Sequence, residues 1–354
     1  MKILILSADE EMYSAAAALY ESSRERGAVC ELRRLSSFYM PPEKRYKKLV
    51  TRTRAALSAV YPAYDPLDKE MIERLCAYIG QEGFDNVFAA DARAARTAVI
   101  LKERFPGVRC YGLLTDAGAV RRISKDGLDG FFIPHENMMR AISSSGVKER
   151  LYPTGMPVEK GFFRRFTKKA ARNYLAIDEK TRVYMLLSNG IGYEEIRDVC
   201  DEMLKVEKEK FLFFVFVERG AETGELLRRR YERSDCIRII TVNKRMDIYM
   251  ESADVILTRP EGYENYEAAA AGVPLVHLMT VRGPDATAQF FSSQEMSLLG
   301  NTVSDAVRKA RRLIDEKALS ARMIRRQSML VGRDAADKIL DKMITDYAKT
   351  RKGI

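Results

Sequence analysis

Two hydrophobic patterns alternate along this chain. Short apolar runs, typical of strands buried in a parallel sheet, occupy residues 2–7, 86–90, 110–114, 130–133, 183–187, 211–217, 237–241, 255–258 and 275–278. Amphipathic segments with helical spacing lie between them, for example at 13–26, 68–81, 94–105 and 193–206. This alternation predicts an α/β protein with parallel, doubly wound sheets.

The pattern is interrupted once, in the proline-bounded basic stretch 153–166. A chain of 354 residues exceeds one ordinary core, so two domains are expected. We place the first at residues 1–160 and the second at 161–320. Ligands of doubly wound sheets bind at the carboxyl ends of the strands, where candidate residues are therefore sought.

Residues 253–275 contain the clearest functional signal. A short apolar strand is followed by Pro260 and Gly262 and then by an alanine-rich helix that ends at Gly272. A strand that enters a helix through glycine directs unpaired backbone N–H groups and the positive end of the helix dipole at one point. We therefore predict a diphosphate site here. Glu267, about one turn into the helix, is either a ribose ligand or an exposed helix residue.

A second strand-turn-helix segment follows residues 183–187. Its turn contains Ser188, Gly190 and Gly192, so it is either a second phosphate contact or an ordinary tight turn. Helix dipoles contribute only about 0.3 to 2 kcal/mol each. Basic side chains must therefore help to bind a diphosphate, and Arg259 and Arg282 are the nearest in sequence.

Composition and charge limit the class of protein. With 46% hydrophobic and 31% charged residues, the chain has the composition of a soluble globular protein, and no apolar run approaches the roughly 18 residues of a membrane span. The N-terminus lacks a signal-peptide pattern, so a cytoplasmic location is expected. Five cysteines lack metal or disulfide spacing. The net charge of +10 indicates an acidic partner.

The motifs occur in a characteristic order. Thr115-Asp116 is followed by Gly-Phe-Phe-Ile at 130–133, then by 154–158, then by Arg259-Pro260-Glu261-Gly262 with Glu267, and finally by 272–275. This order resembles the monogalactosyldiacylglycerol synthase and processive diacylglycerol glucosyltransferase family of GT-B glycosyltransferases. The resemblance extends from Met1 to about residue 291.

The resemblance implies two Rossmann-like domains facing across a cleft. The second domain would hold a UDP-sugar donor, and residues 321–354 would form a helix that packs back on the first domain. Gly262 and Glu267 would contact the diphosphate and ribose, with Ser188, Gly190 and Gly192 beside them, and Asp285 would lie in the sugar loop. No cofactor is expected, and without a D-x-D pair no metal is expected either.

The catalytic base of the resembled family is missing. Its glycine-rich loop ending in histidine is replaced here by an acidic loop that contains Asp9 and Glu10. If the protein is active, the base must come from Asp116, from that loop, or from His135 at a strand end. His277, within a strand, is predicted to be a core histidine. Glu261 replaces a glycine, and its carboxylate would repel a diphosphate unless it is neutralised or turned away.

A basic segment at 41–64 is the second feature of interest. This segment contains six basic residues among apolar positions and only one acidic residue, Glu43. The basic residues are Lys44, Arg45, Lys47, Lys48, Arg52 and Arg54. In the resembled family this region approaches the membrane that holds the lipid acceptor. Each charge contributes about 1 kcal/mol at most near an anionic surface, so reversible binding to the inner face of the cell membrane is expected. The alternative is a solvated helix that covers the first domain.

The sequence therefore predicts an inverting transferase that moves a hexose from a UDP-sugar to a diacylglycerol-type lipid. The main alternative is a GT-B-like binding or regulatory protein that has lost catalysis, which would explain the missing histidine and glycines. Nucleic acid is not expected as a partner, because the basic clusters lack interleaved aromatic residues and no reading motif accompanies them.

Overall fold

The computed structural model describes residues 1–8, 13–38, 69–115, 127–144, 146–163, 167–188, 190–218, 220, 222–242, 245–260, 262–279 and 286–351. The chain forms two compact units. The first contains Met1–Pro157 together with Asp334–Ile354, and the second contains Val158–Arg333. The division after Pro157 lies close to the expected boundary at residue 160.

The first unit is built on a parallel six-stranded sheet. Its strands are β1 (Lys2–Ser7), β2 (Val29–Arg34), β3 (Asn86–Ala89), β4 (Arg109–Leu113), β5 (Gly130–Ile133) and β6 (Leu151–Pro153), in the order β2-β1-β3-β4-β5-β6. The helices between them are α1 (Tyr13–Glu25), α2 (Lys69–Glu82), α3 (Ala92–Arg104) and α4 (Met139–Ser144). The apolar runs of β1 and β3 are buried because helices cover both faces of such a sheet.

The second unit repeats this architecture. Its strands are β7 (Arg182–Leu187), β8 (Phe211–Val217), β9 (Ile237–Thr241), β10 (Val255–Thr258), β11 (Leu275–Leu278) and β12 (Leu298–Gly300), in the order β12-β11-β10-β7-β8-β9. Its helices are α5 (Lys168–Tyr174), α6 (Tyr193–Val206), α7 (Glu222–Arg230), α8 (Met246–Ser252), α9 (Glu264–Ala271), α10 (Ala286–Ser293), α11 (Val303–Asp315) and α12 (Lys317–Gln327). The strand order reverses between β7 and β10, which is the topological switch point of this sheet.

The prediction of two doubly wound, parallel α/β domains is confirmed. The nine predicted strands are all present, whereas β2, β6 and β12 were not predicted. These three strands lie at sheet edges. β2 mixes polar and apolar residues, and β6 and β12 are only three residues long, so none of them has the apolar run of four or more residues that identifies a buried strand.

The segment that returns to the first unit is shorter than the expected 321–354. It consists of helix α13 (Ala335–Arg351), whereas α12 stays in the second unit. The amide of Leu275, at the start of β11, donates to the sulfur of Met323 in α12 at 3.3 Å, and the side chain of Gln327 donates to the carbonyl of Met296 at 2.9 Å. These contacts explain why the return begins at Asp334 rather than at residue 321.

Helix α13 is fixed to the first unit by polar contacts as well as by its buried apolar face. Ser22 of α1 donates to Asp337 at 2.7 Å. Tyr111 of β4 donates to the buried carboxylate of Asp346 at 3.0 Å, and Lys342 pairs with the same carboxylate at 2.8 Å. The C-terminal helix is therefore an integral part of the first unit.

Candidate functional site

The two predicted anion-binding turns follow β7 and β10, which are neighbours in the sheet of the second unit. In parallel strands the carboxyl ends lie at the same edge, so the turns after Leu187 and Thr258 are adjacent. The sequence alone does not show this adjacency, because Gly190 and Arg259 in the two turns are 69 residues apart. The strand order brings them together at the switch point of the sheet.

The turn after β7 is held by its own hydrogen bonds. The buried hydroxyl of Ser188 donates to the carbonyl of Phe216 in β8, and the amide of Ile191 donates to the carbonyl of Ser188 at 2.8 Å. Gly190 has a φ of +63°, in the left-handed region that favours glycine. Ser188 is thus part of the turn's internal structure, and its predicted contact with a nucleotide stays a prediction.

Arg259 joins the two turns. Its Nη1 donates to the carbonyl oxygen of Gly190 at 2.8 Å. A Cβ atom on Gly190 would lie 2.3 Å from this Nη1, so a side chain at position 190 would displace the guanidinium. Gly190 is therefore required by its backbone conformation and also by the guanidinium packed against it. The sequence grouped these residues as ligands of one anion but did not predict their direct contact.

The turn before α9, which contains Gly262, does not leave open the space expected for a diphosphate. A Cβ on Gly262 would lie 2.2 to 2.3 Å from the carboxylate atoms of Glu264, which occupies that space. Thr258 Oγ1 lies 3.5 Å from Glu264 Oε1. Gly262 therefore accommodates a carboxylate, and a negative charge lies beside the point where a diphosphate was predicted.

Glu267 lies in the first turn of α9 and is half-buried. Tyr263, at the N-cap of the same helix, is buried, and burial raises the pKa of its hydroxyl, with the negative charge of Glu267 adding to the rise. Glu267 is thus close enough to the loop to affect its electrostatics. Its predicted contact with ribose stays a prediction.

A buried polar chain lies behind the loop. Asn265 donates from Nδ2 to the carbonyl oxygens of Arg259, Pro260 and Gly262 at 3.0, 3.0 and 2.8 Å. His277 Nε2 lies 2.9 Å from Asn265 Oδ1. The side chain of His277 is fully buried, which confirms the prediction of a core histidine. Asn265 was not among the predicted site residues. The sequence does mark it, because it is a polar residue in an otherwise alanine-rich helix.

Glu195, in the first turn of α6, is a further residue that the sequence analysis missed. Its Oε1 is buried and has no hydrogen-bond partner among the residues that the structure describes. Burial raises the pKa of this carboxyl, and the positive charge of Arg259 opposes the rise. Glu195 and Arg259 therefore interact electrostatically at the mouth of the site.

The first unit has its own switch point between β1 and β3. Asp91, which follows β3, caps α3 by accepting from the amide of Ala94 at 2.8 Å. Its other oxygen accepts from the amide of Ala8 at 2.6 Å and from the hydroxyl of Ser7 at 3.2 Å. Asp91 thus fixes the start of the loop in which Asp9 and Glu10 were predicted to act.

His135 follows β5 at the carboxyl edge of the first sheet. Its Nδ1 accepts from the backbone amide of Asn137 at 3.1 Å and caps a short 3-10 turn at Glu136–Met138. An imidazole that accepts at Nδ1 carries its proton on Nε2 when it is neutral. This capping contact gives His135 a local structural role, and its catalytic role stays a prediction.

Several predicted residues lie outside the described residues. These are the catalytic candidates Asp9, Glu10 and Asp116, the donor-site candidates Glu261, Arg282 and Asp285, and the basic residues Lys44, Arg45, Lys47, Lys48, Arg52 and Arg54. Within the described ranges, no group of three or more His, Cys, Asp or Glu side chains is arranged to hold a metal ion. In the same ranges, no helix has the length and apolar character needed to cross a membrane.

Comparison with known proteins gives distant relatives. No family model matches the chain. A processive diacylglycerol beta-glucosyltransferase of Bacillus cytotoxicus is 20% identical over 244 residues, which make up 68% of this chain and 63% of that protein. The match thus spans less than two thirds of the relative's own length.

The fold of nearly the whole chain is similar to that of several solved structures. The Anabaena protein HepE in complex with UDP has a TM-score of 0.64 at 10% identity, covering 98% of this chain and 100% of its own. A UDP-GlcNAc 2-epimerase from Neisseria meningitidis, bound to UDP-GlcNAc, has a TM-score of 0.66 at 12% identity with the same coverage. The chain therefore has the GT-B fold. Fold and sequence relatives together support the glycosyltransferase superfamily, without selecting the diacylglycerol transferase family within it.

Proposed function

We propose that this protein transfers a hexose from a UDP-sugar to the hydroxyl of a diacylglycerol-type lipid, with inversion and without a metal ion. The observation that carries the proposal is the position of Arg259, whose guanidinium lies across two strand-turn-helix segments at the switch point of the second sheet. A planar guanidinium suits a diphosphate because it can donate two parallel hydrogen bonds. The distant likeness to a diacylglycerol glucosyltransferase supports the choice of acceptor.

In this proposal the donor's diphosphate replaces Gly190 as the partner of Arg259, and Glu267 accepts hydrogen bonds from the ribose. The lipid hydroxyl attacks the anomeric carbon as the bond from that carbon to the diphosphate oxygen breaks, and UDP leaves with the electron pair. Arg259 stabilises the charge that develops on the leaving group. Inversion follows from a single in-line displacement.

The proton of the acceptor hydroxyl goes to a base of the first unit. The carboxylate of Asp116 is our first candidate, and the carboxylates of Asp9 and Glu10 and the imidazole of His135 are the others. Replacing a general base costs on the order of a hundredfold in turnover. Asp116→Asn is therefore expected to lower kcat by about that factor with little effect on UDP binding. Near-normal turnover would remove Asp116 from the scheme.

We further propose that the protein binds the inner face of the cell membrane reversibly through its basic segment. In flotation with phosphatidylglycerol vesicles, the protein should rise with the lipid at low salt and remain at the bottom with phosphatidylcholine alone. The double variant Lys47→Glu and Lys48→Glu should reduce flotation. Unchanged flotation of that variant would refute the electrostatic version.

A second candidate is a GT-B-like protein that binds a nucleotide-sugar without transferring it. The carboxylate of Glu264 beside Gly262 favours this candidate, because it places negative charge where the diphosphate would lie. A third outcome, epimerisation of the donor, is suggested by the likeness to a UDP-GlcNAc 2-epimerase.

One screen separates these functions. The protein is incubated with several UDP-sugars, with and without extracted bacterial lipids, and free UDP, lipid-bound sugar and the identity of the remaining UDP-sugar are measured. Lipid-dependent release of UDP with sugar in the lipid fraction supports the transferase. Epimerised donor without lipid supports an epimerase, and UDP binding without turnover supports a binding protein. No binding at millimolar UDP would refute the donor site itself.

A further inference from the structure

A continuous chain of buried hydrogen bonds connects the start of β12 to the loop before α9. Its members are Ser297, His277 and Asn265, whose side chains are 2%, 0% and 0% exposed. Ser297 Oγ lies 3.1 Å from His277 Nδ1, and His277 Nε2 lies 2.9 Å from Asn265 Oδ1. Burying a polar side chain lowers stability unless the side chain is hydrogen-bonded, so three linked polar side chains in the interior call for a structural reason.

The direction of each hydrogen bond follows from the groups at the end of the chain. Asn265 Nδ2 faces three carbonyl oxygens, which can only accept, so the amide nitrogen must point at the loop and the amide oxygen at His277. That oxygen also can only accept, so His277 must donate from Nε2. In the neutral imidazole Nδ1 is then unprotonated and accepts from the hydroxyl of Ser297.

The carboxamide of Asn265 fixes the orientation of the backbone before α9. Its Nδ2 donates to the carbonyl oxygens of Arg259, Pro260 and Gly262, which therefore point towards the interior. Since Nδ2 carries two hydrogens and has three acceptors, at least one hydrogen is shared between two carbonyls. In a trans peptide the N–H of the next residue points opposite to the carbonyl, so the amide of Tyr263 is directed away from Asn265. The backbone of Arg259 is fixed in the same way, while its guanidinium reaches Gly190.

We infer that Asn265, His277 and Ser297 are positioning residues that hold the backbone carbonyls of Arg259, Pro260 and Gly262 in the orientation that suits the diphosphate. None of the three touches the ligand. Asn265 orients the backbone, His277 donates to the carboxamide oxygen and so opposes a flip of the carboxamide, and Ser297 satisfies the second ring nitrogen of His277. The identity of the ligand rests on the proposed function, whereas the conformation of the loop does not.

The binding test compares variants at a temperature well below their melting points. Loss of one hydrogen bond to a charged group costs about tenfold to a hundredfold in affinity. Asn265→Leu and His277→Leu are therefore expected to weaken UDP binding, measured by calorimetry, by about that factor. Ser297→Ala should have a smaller effect of about threefold, because Asn265 keeps its partner.

Two controls separate positioning from general destabilisation. His277→Gln can still donate an amide N–H to Asn265 and should recover most of the affinity lost in His277→Leu. Ser320→Ala removes a buried hydroxyl that donates to the carbonyl of Leu313 in the same unit, so it should lower the melting temperature and leave UDP affinity unchanged. Wild-type affinity in folded Asn265→Leu and His277→Leu would overturn the inference.

A spectroscopic test is independent of UDP. The chain has only two histidines, so the side-chain nitrogens of His277 can be assigned by comparison with His135→Gln. Long-range ¹H–¹⁵N spectra at neutral pH should show His277 protonated on Nε2 and unprotonated on Nδ1. The opposite tautomer would overturn the inference.

Amide exchange tests the loop itself. The amide of Asn265 donates to the carbonyl of Gly262 at 3.3 Å, and that of Tyr266 to the carbonyl of Tyr263 at 2.9 Å. Both amides should exchange faster in His277→Leu than in Ser320→Ala, and equal exchange would contradict the positioning role. If the wild-type protein fails to bind UDP, the proposed function is refuted, and the tautomer and the exchange rates decide the inference.

Discussion

Gly190 illustrates how a single residue position can combine two requirements. Its φ of +63° favours glycine, and the guanidinium of Arg259 occupies the space where a Cβ would lie. The positive φ affects the free energy of unfolding, whereas the contact with Arg259 affects the binding site. An alanine substitution at another glycine of positive φ, which contacts no arginine, therefore shows how much of the effect comes from the backbone alone.

Gly190→Ala is expected to displace Arg259 and to weaken UDP binding by about tenfold, the loss of one charge-assisted hydrogen bond. The left-handed backbone adds a loss of about 1 kcal/mol in the free energy of unfolding. Gly83→Ala is the matched control, because Gly83 has a φ of +68° and no atom of the described residues beyond its chain neighbours would lie within 4 Å of an added Cβ. Calorimetry and urea unfolding should show similar destabilisation of the two variants but weaker UDP binding in Gly190→Ala alone. Equal UDP affinity in both would contradict the role assigned to Gly190.

Glu195 predicts a pH dependence of stability. Burial raises its pKa above the usual 4.5, and Arg259 only partly opposes this. A carboxyl with a raised folded-state pKa contributes stability below its unfolded pKa, and this contribution is lost as the pH rises through the folded pKa. Glu195→Gln, which resembles the neutral form, should therefore increase the free energy of unfolding at pH 7.5.

The increase for Glu195→Gln should disappear near pH 4, where the wild-type carboxyl is also neutral. Urea unfolding at both pH values measures it. Glu194→Gln, whose side chain is 71% exposed, should show no comparable increase at pH 7.5. An increase for Glu195→Gln that is as large at pH 4 as at pH 7.5 would mean that charge is not the cause.

Among the elements, the central strands and the edge strand β9 follow directly from the sequence, whereas the edge strands β2, β6 and β12 do not. An apolar run such as that of β8 must be buried on both faces, which only a central strand with helices on both sides provides. Edge strand β2 is VCELRR, a mixture that also suits a loop. Pairing with β1 makes it a strand, and this pairing is a tertiary contact.

Helix α13 shows the same dependence on tertiary contacts. Its position on the first unit is fixed by partners that are distant in sequence, including Tyr111, which is 235 residues from Asp346. The resemblance to GT-B proteins indicated that the chain returns, but it did not indicate where. The hydrogen bonds of Met323 with Leu275 and of Gln327 with Met296 hold α12 in the second unit, so the return follows this helix.

Asp346→Ala should destabilise the first unit, because it leaves the buried hydroxyl of Tyr111 without this acceptor and removes the partner of Lys342. A loss of about 2 kcal/mol in the free energy of unfolding is expected. Asp341→Ala removes a carboxylate of α13 that is 60% exposed and pairs with Arg26, and it should cost less than about 0.5 kcal/mol. Equal losses would show that the buried contact does not fix the helix.

At the scale of the whole molecule, the chain is two units with separate sheets and cores. The described residues assigned to the nucleotide, from Ser188 to Glu267, all belong to the second unit. A ligand that binds there stabilises the folded form of that unit by mass action. The stability of the molecule should therefore respond to UDP.

UDP at about a hundred times its dissociation constant should add about 2.7 kcal/mol to the free energy of unfolding. For a unit of this size that corresponds to a rise in melting temperature of roughly 5 to 10 °C. Differential scanning calorimetry measures the rise. Uridine, which lacks the diphosphate, serves as the control and should produce a much smaller shift at the same concentration. Equal shifts would indicate that the diphosphate is not what Arg259 and the loop bind.

The sequence by itself determined the fold class, the central strands and the two turns in which a nucleotide site was sought. These features follow from local patterns, because burial sets the spacing of apolar residues and glycine marks backbone that other residues avoid. Only the tertiary structure decided that Arg259 lies against Gly190, that Glu264 fills the space beside Gly262, and that Asn265 is held by His277 and Ser297. Such contacts join residues on different strands, and the order of strands in a sheet is set by packing of the whole unit rather than by any one segment.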